Sequence, residues 1–125
     1  MMARISKNSP DRGEIWLVRL DPTVGAEIRK LRPAVVMSRA DVATSSLRIV
    51  APIMQWKAFY EDCFWKIYIS PDKQNGLSKV SAADAFQVRS ISVKRFVKRL
   101  GTLPDDLASN IAKAIALCID LDLRS

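Results

Sequence analysis

The sequence predicts a mainly β domain: a small antiparallel sheet curled toward a barrel, with one helix packed against it. Three observations favour this α+β fold. Five or six short apolar runs are separated by turn residues, few segments have helical periodicity, and a single amphipathic stretch closes the chain. Parallel strands need crossover helices, so the scarcity of helical segments favours antiparallel pairing. Residues 1–11 are polar and are expected to form a disordered lead, with residues 12–125 as a single domain.

Two apolar runs predict the first strands. Residues 15–20 (IWLVRL) end at an Asp-Pro pair typical of turns. Residues 32–38 (RPAVVMS) contain Pro33, which cannot donate to a ladder and therefore belongs at the start of a strand. Residues 34–37 are typical of a strand buried on both faces. Arg32 then lies where a loop becomes a rigid strand, a place that holds a charged group still, although an exposed loop arginine is the simpler alternative.

Four later segments are also predicted as strands, at residues 47–53, 64–69, 79–91 and 97–103. Pro52 is expected to break the first of them, because proline interrupts ladder bonding. In the third, Gln87 and Arg89 are two residues apart and would share one face of a strand. Between the second and third, residues 71–76 (PDKQNG) have the composition of a turn.

The C-terminal segment, residues 104–123, predicts the one long helix. Pro104 suits the first turn, and the two aspartates that follow it suit the positive end of the helix dipole. One stripe of side chains recurs at spacings of four and three, namely Leu107, Ile111, Ile115, Cys118 and Leu121. This stripe indicates a packing helix, and Cys118 within it is expected to be a small buried hydrophobe.

Composition narrows the possible functions. The chain carries 20 lysines and arginines against 13 acidic residues, a net charge of +7, which favours an anionic partner such as nucleic acid or an acidic protein segment. A merely soluble basic surface is the alternative. Histidine is absent, which excludes His-based zinc sites and Ser-His-Asp triads. Because no apolar run approaches the roughly 20 residues of a membrane helix and the start lacks a signal-peptide core, we expect a cytoplasmic protein.

Seven segments resemble the MazF/PemK family of toxins and follow the family's order. They are 12–16 (RGEIW), 21–27 (DPTVGAE), 32–38 (RPAVVMS), 51–53 (API), 76–77 (GL), 87–90 (QVRS) and 100–103 (LGTL). The resemblance implies an SH3-like barrel of the CcdB/PemK type with a C-terminal helix, assembled as a homodimer. It also implies the toxin of a toxin–antitoxin module, whose partner is an antitoxin with an acidic tail.

The implied activity is cleavage of single-stranded RNA, with no metal or other cofactor, to a 2′,3′-cyclic phosphate and a 5′-hydroxyl. By position, Arg32 resembles the catalytic arginine of the family, and a guanidinium suits the charge that builds on a phosphate. The loop before it, which carries Glu27, Arg29 and Lys30, would cover the RNA. The pair Gln87 and Arg89 would face the RNA groove, although a structural hydrogen-bonding pair is the alternative.

One position departs from the family. Met54 stands where relatives carry a threonine or serine hydroxyl beside the arginine, and a thioether donates no hydrogen bond. Three outcomes are open: a weak ribonuclease, an inactive relative that binds RNA or antitoxin, or a chain engineered to be inactive. A gyrase-type toxin with a protein target is a further alternative, since fold alone does not settle function. Trp56, two residues on, could stack on a base, although packing is its simpler role.

Overall fold

The computed structural model describes residues 9–20, 31–39 and 46–122. Within them, the elements are the strands β1 (Glu14–Val18), β2 (Arg32–Val36), β3 (Leu47–Gln55), β4 (Lys66–Ile69), β5 (Ser81–Asp84), β6 (Arg89–Ser92) and β7 (Phe96–Thr102) and the helix α1 (Asp105–Cys118). Short 3-10 helices lie at Ala58–Asp62, Ala85–Gln87 and Val93–Arg95. Among these residues, no helix has the length and apolar character needed to cross a membrane.

The strands form one antiparallel sheet in the order β4-β5-β3-β2-β1-β7, and β6 pairs with the first half of β3. The expected mainly β architecture with a C-terminal helix is therefore confirmed. The ladder is open, because no pairing joins β4 to β7 within the described ranges. Every pairing is antiparallel, as the scarcity of helical segments indicated.

Strand β2 lies in the middle of the hydrophobic core. Val35 packs in one buried cluster with Ile111 of α1, and Val36 packs in a second cluster with Trp16 of β1. Residues 34–36 are wholly inaccessible to solvent, which confirms the predicted burial of both faces. A strand held between two clusters gives its first residue a fixed position.

Strand β3 continues through Pro52, so the expected break is wrong. On one edge, the ladder from β3 to β6 ends at Val50 and the ladder to β5 begins at Ile53. Pro52 lies in the gap between them and is buried. A proline between two ladders on that edge interrupts neither of them, which is why the strand continues.

The single strand expected over residues 79–91 is also wrong. The segment divides into β5 and β6, with the 3-10 helix Ala85–Gln87 between them. The cause is Asp84, whose carboxylate accepts a hydrogen bond from the backbone N–H of Phe86 at 3.0 Å and so caps a turn. Gln87 and Arg89 consequently lie on different elements and do not share the face of a strand.

Helix α1 is confirmed but ends at Cys118 rather than at residue 123. Asp120 has a φ of 66°, a left-handed conformation that ends a helix, and the N–H of Leu121 bonds back to the carbonyl of Ala116 at 2.9 Å. Leu121 is therefore 53% exposed and does not belong to the packing stripe, whereas Ile111 is fully buried.

The expected disordered lead is wrong for residues 9–11, and residues 1–8 lie outside the described ranges. Arg48 of β3 is 5% exposed and donates from Nε to the carbonyl of Pro10 at 2.9 Å and from Nη2 to Ser9 Oγ at 3.0 Å. Pro10 is itself buried. A buried guanidinium needs acceptors, so it holds this segment against the sheet.

Candidate active site

Arg32 is the first residue of β2, as the Arg-Pro sequence predicted, and it is exposed. It pairs with Val18 of β1. On the other side, Ala34 pairs with Pro52, and continuing this antiparallel register by two residues places Arg32 across from Met54. The backbone of Arg32 is thus held by the sheet, while its guanidinium reaches the solvent.

Two adjoining clefts share Arg32, Ile53 and Met54. The first, which we call the Gln87 cleft, has a volume of about 330 Å³ and is also lined by Leu20, Pro52, Gln87 and Arg89. The second, the Lys79 cleft, has a volume of about 280 Å³ and is also lined by Pro33, Gln55, Leu77, Ser78, Lys79 and Ser81. Arg32 stands between them, with Arg89 in one and Lys79 in the other. Cations therefore occur along the whole concave surface, an arrangement that suits a polyanion.

Gln87 and Arg89 lie in the same cleft although they do not share a strand. Arg89 donates from Nη2 to the carbonyl of Leu20 at 2.7 Å, which ties its guanidinium to another lining residue of the cleft. A guanidinium has five N–H donors, so most of those on Arg89 remain for a ligand. The two residues that the sequence spacing singled out therefore meet in one cleft, but not by sharing the face of a strand.

Met54 is half-buried, and two polar side chains donate to its sulfur. Lys66 Nζ lies 3.1 Å from Met54 Sδ, and the hydroxyl of Tyr60 lies 3.7 Å from the same sulfur. Lys66 Nζ also sits 4.3 Å from the centroid of the Tyr60 ring. The thioether acts as a weak acceptor for an ammonium and presents no donor to the clefts.

Asp84 lies behind Met54 and is 2% exposed. Its Oδ2 accepts from Lys66 Nζ at 3.0 Å and from Gln87 Nε2 at 2.9 Å. We call Asp84, Lys66 and Tyr60 the Asp84 cluster, which contacts Met54 and Gln87 of the clefts. Sequence analysis missed Asp84, Lys66 and Tyr60. The available signal was a lone aspartate in the small apolar run SAADA, because a buried carboxylate needs partners.

Four predicted site residues remain, namely Trp56, Glu27, Arg29 and Lys30. Trp56 is half-buried and lines neither cleft; its ring makes edge-to-face contacts with Tyr60 and Tyr68, at centroid distances of 5.7 and 5.1 Å. These contacts favour the packing role for Trp56. Three residues of the loop before β2 fall outside the described ranges, namely Glu27, Arg29 and Lys30.

Cys118 lines a separate apolar cavity of about 280 Å³ with Phe64, Trp65, Phe86 and Leu117. Burial raises the pKa of the Cys118 thiol, and the negative charge of Asp84 raises it further. A thiol held in its neutral form is a poor nucleophile. Cys118 therefore lines this cavity, but it is only partly buried, so the expectation of a buried hydrophobe is wrong in its degree of burial.

Comparison with known proteins identifies the family. Residues 11–119 match the family described as PemK-like, MazF-like toxins of type II toxin–antitoxin systems. The chain belongs to this family. It is 31% identical over 120 residues to the endoribonuclease MazF9 of Mycobacterium tuberculosis, covering 88% of this chain and 96% of that protein. It is 29% identical over 107 residues to the endoribonuclease PemK of Escherichia coli, covering 84% of this chain and 78% of that protein.

Solved structures of PemK-like, MazF-like toxins share the fold. The crystal structure of MazF from Deinococcus radiodurans superposes with a TM-score of 0.71 at 21% identity, covering 90% of this chain and 98% of that one. A MazE–MazF crystal structure from the same organism gives a TM-score of 0.67 at 21% identity, covering 93% of this chain and 100% of that one. The resemblance seen in the seven sequence segments is therefore confirmed at the level of family and fold.

Proposed function

We propose that this toxin is an endoribonuclease that cleaves single-stranded RNA without a metal, with Arg32 as its catalytic residue. The observation that carries the proposal is the position of Arg32: its backbone is fixed at a strand start, and its exposed side chain lies between two clefts that also present Arg89 and Lys79. Relatives that match most of the chain are named endoribonucleases, which supports the reaction class.

In the proposed reaction, the 2′-oxygen of a ribose attacks the adjacent phosphate. A bond forms between that oxygen and phosphorus, the bond to the 5′-oxygen of the next nucleotide breaks, and a proton passes from the 2′-hydroxyl to the solvent while the 5′-oxygen gains one. The products are a 2′,3′-cyclic phosphate and a 5′-hydroxyl. Negative charge builds on the non-bridging oxygens, where the forked donors of Arg32 stabilise it. Because the sheet fixes the backbone of Arg32, little reorganisation is needed at the moment of reaction.

Met54 limits this activity. If the family hydroxyl supports the phosphate, a thioether at that position lowers the rate by on the order of a hundredfold, by analogy with the loss of one oxyanion donor. We therefore expect a weak ribonuclease, in which Arg32 supplies most of the stabilisation.

The same clefts are proposed to receive an antitoxin. The net charge of +7 and the cations of both clefts complement an acidic segment, and such a segment would compete with RNA for them. A solved relative is a MazE–MazF complex, which supports this pairing. Homodimer formation and a cytoplasmic location, where RNA and antitoxin would be met, are parts of the same proposal.

The proposal is tested by incubating the purified protein with a single-stranded RNA pool in EDTA and mapping the new ends. We expect cyclic phosphates and 5′-hydroxyls that disappear in Arg32→Ala. The matched control is Arg99→Ala, because Arg99 is an exposed arginine of β7 that lines neither cleft and forms an ion pair with Glu14 at 3.2 Å. Cleavage that persists in Arg32→Ala, or that requires added metal, would contradict the proposal.

A further inference from the structure

The buried carboxylate of Asp84 determines which end of the Gln87 amide faces inward. Its Oδ2 is 2.9 Å from Gln87 Nε2 and 3.0 Å from Lys66 Nζ, and its Oδ1 is 3.0 Å from the backbone nitrogen of Phe86. A carboxylate paired with an ammonium accepts hydrogen bonds and donates none. Only the NH₂ end of the amide can therefore face Asp84.

The other end of that amide is available to a ligand. Gln87 is exposed and lines the Gln87 cleft together with Arg32 and Arg89. Among the residues that the structure describes, none donates a hydrogen bond to Gln87 Oε1. With its nitrogen engaged by Asp84, the side chain offers the cleft a carbonyl oxygen, which accepts a hydrogen bond.

Lys66 holds the Asp84 carboxylate in its position beside Gln87 through an ion pair. Its side chain is 10% exposed and that of Asp84 is 2% exposed, so the pair is shielded from water and salt. Lys66 makes its other contacts with the sulfur of Met54 and the ring of Tyr60, both weak acceptors. Among the residues that the structure describes, Asp84 is therefore the one strong acceptor of Lys66, and this pairing holds the carboxylate beside Gln87.

We propose that Gln87 reads an amino-bearing base beside the cleaved phosphate, and that Asp84 and Lys66 are positioning residues for this reading. The inference rests on the proposed ribonuclease function. Adenine, cytosine and guanine each carry an exocyclic amine that can donate to a carbonyl oxygen, whereas the exocyclic groups of uracil are both acceptors and flank its single edge donor, the ring N3–H. RNA recognition of this kind acts on unpaired bases whose edges are exposed. The cleft then prefers an amino-bearing base to uracil at one position of its substrate.

The test uses a synthetic RNA oligonucleotide that spans a mapped cleavage site. Each adenosine, cytidine or guanosine is replaced in turn by purine riboside, 2-pyrimidinone riboside or inosine, which lack the amine. We measure kcat/KM on these RNAs and Kd on matched RNAs with a 2′-deoxyribose at the cleaved position. At one position, loss of the amine should lower kcat/KM and raise Kd, each by about fivefold to tenfold, in the unmodified protein. In Gln87→Met the same replacement should have almost no effect.

Two further variants separate orientation from folding. Gln74→Met is the matched control, because Gln74 lies in the turn before Gly76 and lines neither cleft, so its analogue profile should equal that of the unmodified protein. Asp84→Asn can donate to Gln87 Oε1 and so releases the amide from its fixed orientation. It should lose the discrimination, with circular dichroism confirming the fold; if it unfolds, the Gln87→Met comparison still decides.

The outcomes are distinct for the two proposals. Suppose that RNA is cut in an Arg32-dependent way, but that removing the amine has no effect in the unmodified protein, or has the same effect there as in Gln87→Met. That result overturns base reading by Gln87 and leaves the ribonuclease proposal standing. RNA that is neither bound nor cut overturns both proposals.

Discussion

The two sides of the site, Arg32 in front and the Asp84 cluster behind, are positioned in opposite ways. Arg32 is exposed, and the structure fixes it through the backbone of β2. Asp84 is 2% exposed and is fixed through side chains, with donors from Lys66 and Gln87. A group held by its backbone keeps its charge available to a ligand, whereas a group held by side chains uses its charge on its neighbours. We therefore expect substitutions in front to change chemistry and substitutions behind to change stability or specificity.

The largest expected effect is on chemistry at Arg32. Arg32→Ala should lower the cleavage rate by about 100- to 1,000-fold, since it removes preorganised charge at the phosphate. The cleavage rate of Arg32→Lys should fall between those of the unmodified protein and Arg32→Ala, because an ammonium keeps the charge but loses the forked donors. The free energy of unfolding should change by less than about 0.5 kcal/mol in both, as for exposed positions generally. A large loss of stability in Arg32→Ala would break the contrast with the Asp84 cluster.

Behind the cleft, Asp84→Ala should destabilise the fold by about 3–5 kcal/mol, because it leaves the Lys66 ammonium without its carboxylate. Urea unfolding monitored by tryptophan fluorescence measures this difference. Arg99→Ala, which breaks the exposed pair with Glu14 at 3.2 Å, should cost less than about 1 kcal/mol and serves as the comparison. Equal costs for the two variants would mean that the Asp84 pair is not effectively buried.

Met54 lies at the boundary between the two regions. Met54→Thr restores a donor opposite Arg32 and should raise the cleavage rate, by up to on the order of a hundredfold. Met54→Val introduces a side chain similar in shape to threonine but without the hydroxyl, and it should not raise the cleavage rate. Single-turnover cleavage of one RNA by the three proteins decides the point. A rate that rises equally in both variants would assign the effect to side-chain shape.

Substitution of Arg89 should show the smallest effect on RNA, because part of its guanidinium is already bonded to the carbonyl of Leu20. Arg89→Met should weaken RNA binding and reduce the slope of log K against log salt by about 0.7, the value for one phosphate contact on a single strand. Fluorescence anisotropy across a salt series measures that slope. If the slope stays the same while affinity falls, Arg89 acts only by holding the carbonyl of Leu20.

The same contrast explains what could be predicted from the sequence. Arg32 and the burial of both faces of β2 follow from local rules, namely a proline at a strand start and a continuous apolar run. The division of residues 79–91 did not, because it depends on the Asp84 carboxylate capping a turn. The contact between Lys66 and Met54 joins β4 to β3, and sequence spacing carries no information about it.

The end of α1 shows the same limit. Periodicity continued the stripe to Leu121, but the left-handed conformation of Asp120 ends the helix earlier. Aspartate tolerates that conformation without marking it as clearly as glycine would. Local composition therefore predicted the elements and the place of Arg32, whose catalytic role was implied by the family resemblance, whereas the ends of the elements and the supporting cluster depended on tertiary contacts.

The most direct test of the central claim replaces one non-bridging oxygen of the cleaved phosphate with sulfur. If the Arg32 guanidinium stabilises charge on these oxygens, one phosphorothioate diastereomer should be cut more slowly than the normal RNA by the unmodified protein. That penalty should nearly vanish in Arg32→Ala, because the interacting donor is gone. An equal penalty in both proteins would contradict the account, since Arg32 would then act somewhere other than on the phosphate.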